Sequence, residues 1–281
     1  MITTKRYKRL SSIITYIILI LFSVYCVFPF LWMLSTSLKP ADEIRTTVPT
    51  LFTLSPTLEN FTRVLTTNGF LINIRNSLTV AFFATLISLV ISTFAAYALS
   101  RYHYYKGINF TSVAMLISQM VPGVLLLVPL FVVMQKIHLL DTYLSLIIAY
   151  ATFVIPLCTF ILKGFFDTLP YDLEEAAEID GCSKLRIIFK VILPISVPSL
   201  ISTGLYAFVH AWNEFMFAYV FINSDSIRTI TPAIKIYQGS NITDWGGLMA
   251  ASSLAVIPVA IIFLFFQRYF IAGMTSGSVK G

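Results

Sequence analysis

Apolar residues run along this chain in six long blocks, at about 13–34, 78–99, 110–134, 143–165, 192–221 and 248–266. A helix of about 20 residues crosses the hydrocarbon core of a bilayer. Each block is therefore predicted to be a transmembrane helix, in which the backbone satisfies its own hydrogen bonds. The first block follows Lys5, Arg6, Lys8 and Arg9, as a secretory signal would, but it is too long for one and no A-x-A site follows. Pro122-Gly123 and Pro129 interrupt the third block, and Pro156 lies inside the fourth. The tract 35–76, with Pro40, Pro49 and Pro56, reads as a connector with short helical pieces. The expected fold class is an all-α integral membrane protein of six transmembrane helices in a single domain, 1–281.

One polar gap differs from the others. Between blocks four and five, at about 167–190, stand Asp167, Asp172, Glu174, Glu175, Glu178 and Asp180. Asp172 is placed to N-cap a helix, and Glu175 lies where a capping box wants it. Leu173, Ala176, Ala177 and Asp180 have the i, i+3, i+4, i+7 spacing of one helix face. Gly181 supplies a residue suited to positive φ at the helix end, and Ser183 is placed to cap a second helix. Two readings fit this shape: a solvated amphipathic loop helix, or a small-faced helix that docks in a groove of another protein.

Composition narrows the classes. The chain is 57% hydrophobic and 11% charged, which excludes an ordinary soluble domain. Its net charge of +6 is spread among the polar gaps, with no basic patch interleaved with aromatics, so nucleic acid is not an expected partner. With both termini inside, twelve of the 19 Lys and Arg fall on the inner side, which the positive-inside rule favours and which places 167–190 in the cytoplasm. Cys26, Cys158 and Cys182 imply no disulfide framework. G-x-x-x-x-G-K-[ST], H-E-x-x-H, G-x-S-x-G and C-x-x-C do not occur, so no catalytic or metal-binding residues are named, and the chain is not expected to be an enzyme or to bind a cofactor itself.

The fifth block carries a polar stripe, Ser199, Thr203, Tyr206, His210 and Asn213, beside a small one, Gly204, Ala207, Ala211 and Ala218. Intramembrane polar groups face a bundle interior or a water-filled cavity. The stripe is read either as interhelical hydrogen bonding, the reading taken for Ser199 and Thr203, or as a substrate path at Tyr206, His210 and Asn213. Glu214, the acid well inside a block, is expected to reach water or a partner. Trp212 and Phe215 suit stacking on a sugar face and equally suit anchoring at the interface. Gln119, one turn before Pro122-Gly123, is a further path candidate, with local hydrogen bonding across the break as its alternative.

Glu175-Ala176-Ala177, then Asp180-Gly181, Phe189, Pro194 and Pro198, resembles the EAA loop of ABC importer permeases of the type I, MetI-like family; Cys182 stands where that family usually has Ala. The resemblance implies that the loop is a cytoplasmic coupling helix seated on an ATPase subunit. Leu173, Glu174, Glu175, Ala176, Ala177, Asp180 and Gly181 would then be its coupling residues, with Ala177 in the docked face. Residues 211–215 resemble a segment of the sugar-importing members. The tail resembles that of maltose-type permeases, which implies ATPase contact through Gly277, Lys280 and Gly281. Implied partners are a second homologous permease in a heterodimer, two cytoplasmic ABC ATPase subunits that hold ATP and Mg, and an extracytoplasmic solute-binding protein. The setting is the lipid of a bacterial-type cell membrane, crossed several times with both termini cytoplasmic. The cargo implied is a sugar, in particular an oligosaccharide. The alternatives are a polyol, glycerol phosphate or other solute in the same importer class, or a secondary transporter, which would show intramembrane ion pairs or inverted repeats.

Overall fold

The structure, a computed structural model, describes residues 3–46, 48–66, 69–239 and 242–275. It is helical nearly throughout. In chain order the helices are α1 (Thr3–Ser37), α2 (Ala41–Ile44), α3 (Glu59–Thr66), α4 (Phe70–Arg101), α5 (Lys106–Gln119), α6 (Leu127–Lys136), α7 (Tyr143–Phe166), α8 (Asp172–Ile179), α9 (Lys184–Ile187), α10 (Leu193–Ile195), α11 (Val197–Asn213), α12 (Met216–Phe221), α13 (Ile230–Lys235) and α14 (Trp245–Thr275). Among the described residues, four helical stretches are long and apolar enough to cross a membrane: Leu10–Ser37, Phe70–Arg101, Tyr143–Phe166 and Trp245–Arg268. The number is six if each of two bent helix pairs counts as one span. Large apolar side chains such as Leu19, Phe22 and Tyr25 of α1 are exposed along these stretches, as a lipid solvent allows.

Two bends depart from straight helices. Lys106–Gln119 and Gly123–Lys136 meet at 96°, where Pro122 lacks an N–H and a short 3₁₀ turn, Gly123–Leu126, follows. Lys184–Ile195 and Val197–Asn213 meet at 83° around Ser196. Pro194 and Pro198 flank that corner, a π turn at Ile188–Ile192 precedes it, and the Ser196 hydroxyl donates to the Ile192 carbonyl at 2.7 Å. The run 192–221, expected to be one helix, therefore bends at Ser196, breaks again after Asn213 and resumes as α12.

The described residues form two compact units, those within Met1–Phe70 and Ile234–Ile257, and those within Leu71–Ala233 and Pro258–Gly281. In the first, buried Asn60 holds the chain after α1. Its amide donates to the Ser37 and Lys39 carbonyls at 3.0 and 2.9 Å, and its oxygen accepts from Arg63 at 3.0 Å. Arg63 also pairs with Asp244 at 2.9 Å. Gly246 approaches Asn60 so closely that a Cβ there would lie 2.4 Å from Asn60 Oδ1, so glycine is required.

The second unit is built around α7, whose buried face includes Leu146, Tyr150, Val154, Cys158, Leu162 and Phe166 at helical spacing. The small stripe of α11 packs here. Ala207 is buried with Val154 and Cys158, and a Cβ on Gly204 would stand 3.1 Å from Leu89 Cδ1 of α4. The start of α4, residues expected in a connector, is helical and pins the segment before α13. Asn76 donates to the Ser226 and Arg228 carbonyls at 3.0 and 2.9 Å and accepts from the Tyr143 hydroxyl at 2.7 Å. The Ile230 N–H donates to Ser77 Oγ at 2.7 Å. Asn76→Ala strands these partners, and a buried group left without its partner costs roughly 1–3 kcal/mol. We expect a loss of about 3 kcal/mol, read as a lower detergent-denaturation midpoint, with Asn76→Asp, which keeps only acceptors, also impaired. Between α6 and α7, Asp141 adopts φ 59° and accepts the backbone N–H groups of Asn223 and Ser224 at 2.9 Å each, together with the Ser224 hydroxyl. These donors hold its carboxyl below the usual carboxylate range.

Candidate functional site

Two places in the second unit gather the polar residues singled out above. One is α8 with its surroundings. Its C-terminus follows the expected chemistry: Gly181 has φ 78°, its N–H donates to the Glu178 carbonyl, and the Cys182 N–H donates to that of Ala177, each at 2.9 Å. Ser183 caps α9 by accepting the Arg186 N–H at 3.4 Å. The N-terminus differs from expectation. Asp172 lies inside the first turn rather than at the cap, and Tyr171, the residue at the cap, makes no side-chain capping bond. The three acids of that turn, Asp172, Glu174 and Glu175, still suit the positive end of the helix.

The face drawn through Leu173, Ala176, Ala177 and Asp180 divides in two. Ala177 points inward, 9% exposed, into a cluster with Ala96, Tyr97, Leu162, Phe166, Ile187, Ile188 and Ile192. Glu174 is buried beside it. The outer face carries Leu173, Glu175, Ala176, Asp180 and, at 87% exposed, Ile179, a residue the sequence pattern did not single out. The cause is the partner available to Glu174. A carboxylate is buried only when paired, and the end of α4 supplies both partners. Arg101 Nε lies 2.5 Å from Glu174 Oε1, and the Tyr97 hydroxyl donates to Oε2 at 2.6 Å. Arg101 also donates to Ser100 Oγ at 3.1 Å and to the Leu169 carbonyl at 3.5 Å, and its guanidinium lies 5.6 Å from the Tyr171 ring centre. Ser100 in turn donates to Asp167 at 2.6 Å, and Lys163 pairs with the same carboxylate at 2.6 Å. Phe189 of the π turn meets Phe94 of α4 edge to face at 6.1 Å. The arrangement leaves an apolar and acidic outer face on a helix tied firmly to the bundle.

The other place is a cavity of ≈ 690 Å³ lined by residues of α7, α11, α12 and the turn after Pro122. Tyr206, His210, Asn213 and Glu214 line it, as do Tyr150, Phe153, Phe215 and Phe217. The cavity thus combines aromatic faces with a phenol, an imidazole, an amide and a carboxylate, a lining suited to a polar ligand with apolar faces. Trp212 is not part of it. One residue is a rotation of about 100° on a helix, so Trp212 faces away from His210 and Asn213; it is buried, 4% exposed, and stacks on Phe208 at 5.9 Å. Phe215, the other aromatic suited to stacking on a sugar face, does line the cavity. Gln119 lies outside the lining and donates to the Phe153 carbonyl of α7 at 3.3 Å, an interhelical bond in place of the local one expected across the break. Thr203 bonds back to the Ser199 carbonyl at 2.8 Å, and both are buried.

Glu214 has a local partner. The chain breaks between α11 and α12, and the carboxylate accepts the freed N–H groups of Phe217 at 3.0 Å and Ala218 at 3.2 Å. The acid caps a broken helix and neutralises its exposed donors. Its own carbonyl accepts from the Thr231 hydroxyl at 2.6 Å. The tail residues Gly277, Lys280 and Gly281 lie outside the described residues.

Comparison with known proteins agrees with this architecture. The family described as binding-protein-dependent transport system inner membrane component matches residues 88–276. The trehalose/maltose transport system permease protein MalG of Thermococcus litoralis is 38% identical over 279 residues, 98% of this chain and 99% of the relative. The sulfoquinovosyl glycerol transport system permease protein SmoH of Agrobacterium fabrum is 37% identical over 254 residues, 90% of this chain and 89% of the relative. Among solved structures, a chain of a bacterial ABC transporter involved in the import of the acidic polysaccharide alginate superposes with a TM-score of 0.82 at 21% identity, covering 96% of this chain and 100% of that one.

Proposed function

This chain belongs to the family of binding-protein-dependent transport system inner membrane components, and from that premise we propose that it is the sugar-translocating permease subunit of an ATP-driven importer. It is a multi-pass membrane protein. The observation that carries the sugar reading is the cavity beside the broken α11–α12 helix. There Tyr150, Phe153, Tyr206 and Phe215 offer ring faces, and His210 and Asn213 offer hydrogen bonds. Sugars present both apolar C–H faces and hydroxyl edges, and relatives named for trehalose or maltose and for sulfoquinovosyl glycerol support the same class.

In this reading a loaded binding protein outside the cell delivers an oligosaccharide to a path formed by this chain and a second, homologous permease. Two cytoplasmic ATPase subunits hold ATP and Mg. The outer face of α8, with Leu173, Glu175, Ala176, Ile179 and Asp180, rests on one of them as the coupling helix, and both termini of the chain lie on the same side. Gly277, Lys280 and Gly281 are the proposed tail contacts with that subunit. Binding protein favours the outward-open state because it binds that state better, which is the condition for any ligand to shift the equilibrium.

The test is uptake of labelled saccharides by vesicles containing the complete complex, supplied with loaded binding protein. We expect ATP-dependent accumulation of an oligosaccharide, and a reduced rate in Tyr206→Ala. Accumulation of a polyol or glycerol phosphate and of no saccharide would move the substrate to that class. Accumulation driven by an ion gradient without ATP would overturn the importer reading.

A further inference from the structure

A docking face transmits force only into whatever the docked helix is fastened to. Helix α8 is short and turns two side chains inward, Glu174 and Ala177. Ala177 offers a methyl contact, which packs without setting direction. Glu174 offers two directional bonds, and both end on α4, at Tyr97 and Arg101. Those residues are four apart and share one face of α4. Through its remaining donors, Arg101 reaches Ser100, which holds Asp167 after α7, and the Leu169 carbonyl. One guanidinium therefore ties α4, the end of α7 and α8 together. Glu174 is 1% and Arg101 8% exposed at the side chain. A buried ion pair is a poor device for stability alone, since apolar residues of similar volume often serve as well. Its distinctive property is fixed geometry.

We propose that Glu174 is a positioning residue, clamped by Arg101 and Tyr97, which makes α8 and the end of α4 a single moving body. Displacement of the outer face of α8 is then delivered to a helix that runs through the membrane, instead of being absorbed by the loops that flank α8. This rests on the reading that α8 docks on the ATPase, and Ile179→Arg, on the opposite face, tests that reading separately.

The experiment uses the complete complex in vesicles, with binding protein and labelled solute, and reads the amount of solute moved per ATP hydrolysed. In Glu174→Gln and Arg101→Gln the ATPase subunits should stay bound, because the outer face is untouched. Solute moved per ATP should fall by about tenfold, within the range of ordinary coupling free energies. The charge-reversed pair Glu174→Arg with Arg101→Glu should recover much of that loss. A purely packing role would lower the yield of complex and leave the ratio at its wild-type value. An unchanged ratio in assembled variants would overturn the clamp. If Glu174→Gln does not assemble, Tyr97→Phe, which deletes one hydroxyl, decides: a lowered ratio supports the clamp, and an unchanged ratio or failure to assemble overturns it. If Ile179→Arg retains both ATPase binding and coupling, the docking reading fails instead.

Discussion

Ile179→Arg should weaken association of the ATPase subunit by on the order of a hundredfold while leaving the permease folded. Ile179 stands 87% exposed on the outer face of α8 and makes no contribution to the chain's own core. Burying such a side chain in a groove contributes roughly 1.5–3 kcal/mol, and about 1.4 kcal/mol is a factor of ten in affinity. Arginine loses that contribution and adds a charge that the groove would have to desolvate. The contrasting variant is Ala177→Arg. With Ala177 in the docked face, as the family resemblance implies, that substitution would put bulk into the ATPase groove. The structure places Ala177 against Phe166, Ile187 and Ile192, so the same substitution should instead disrupt the packing of the loop on the bundle. Size-exclusion profiles separate the two cases. Ile179→Arg should run as intact permease lacking ATPase, and Ala177→Arg as aggregated or depleted permease. Equal retention of ATPase by Ile179→Arg and wild type would remove the outer face from the account.

Glu214→Ala should cost stability first and transport as a consequence. Its carboxylate is the acceptor for the N–H groups of Phe217 and Ala218 where α12 begins. Removing it leaves two donors at the helix break without an acceptor, at roughly 1–3 kcal/mol for a buried group. We expect a loss of about 2 kcal/mol, since the cavity admits water to part of this end. Phe215 of the break and Phe217 of α12 line the cavity, so a loosened α12 should also lower the maximal uptake rate. Glu214→Gln keeps an amide oxygen as acceptor and should recover part of the stability. A sugar ligand would behave differently: the substitution would raise the solute concentration needed for half-maximal uptake and leave the denaturation midpoint unchanged. That second pattern would show that Glu214 acts on substrate and that capping is incidental.

The long-range pattern of apolar blocks was enough to read a helical membrane protein, because hydrophobic length is a property of composition over many residues. The end of α8 was legible for a local reason: Gly181 has the positive φ that its residue type permits. What spacing could not show was which side of α8 turns inward. Leu173, Ala176 and Ala177 form a plausible apolar face by periodicity, yet burial was decided by Arg101 and Tyr97, more than seventy residues earlier, pairing with Glu174. Trp212 lies outside the cavity for the reverse reason. Its neighbours in sequence line the cavity, but one residue of helical rotation turns it into the core. The polar stripe of α11 was partly legible, since Tyr206, His210 and Asn213 do share the cavity while Ser199 and Thr203 are spent on the helix itself. Glu214 was visible as an anomaly, but a cap requires a break, and nothing in the apolar run 192–221 announced one at residue 214.

The measurement that bears most directly on the account is ATP hydrolysis by the reconstituted complex, with its binding protein, across a panel of saccharides. One saccharide, presented on the binding protein, should stimulate hydrolysis, and Ile179→Arg should abolish the stimulation. Hydrolysis indifferent to binding protein and to every saccharide would contradict a sugar-importing role. An ATPase that never associates with the chain would contradict the coupling role of α8.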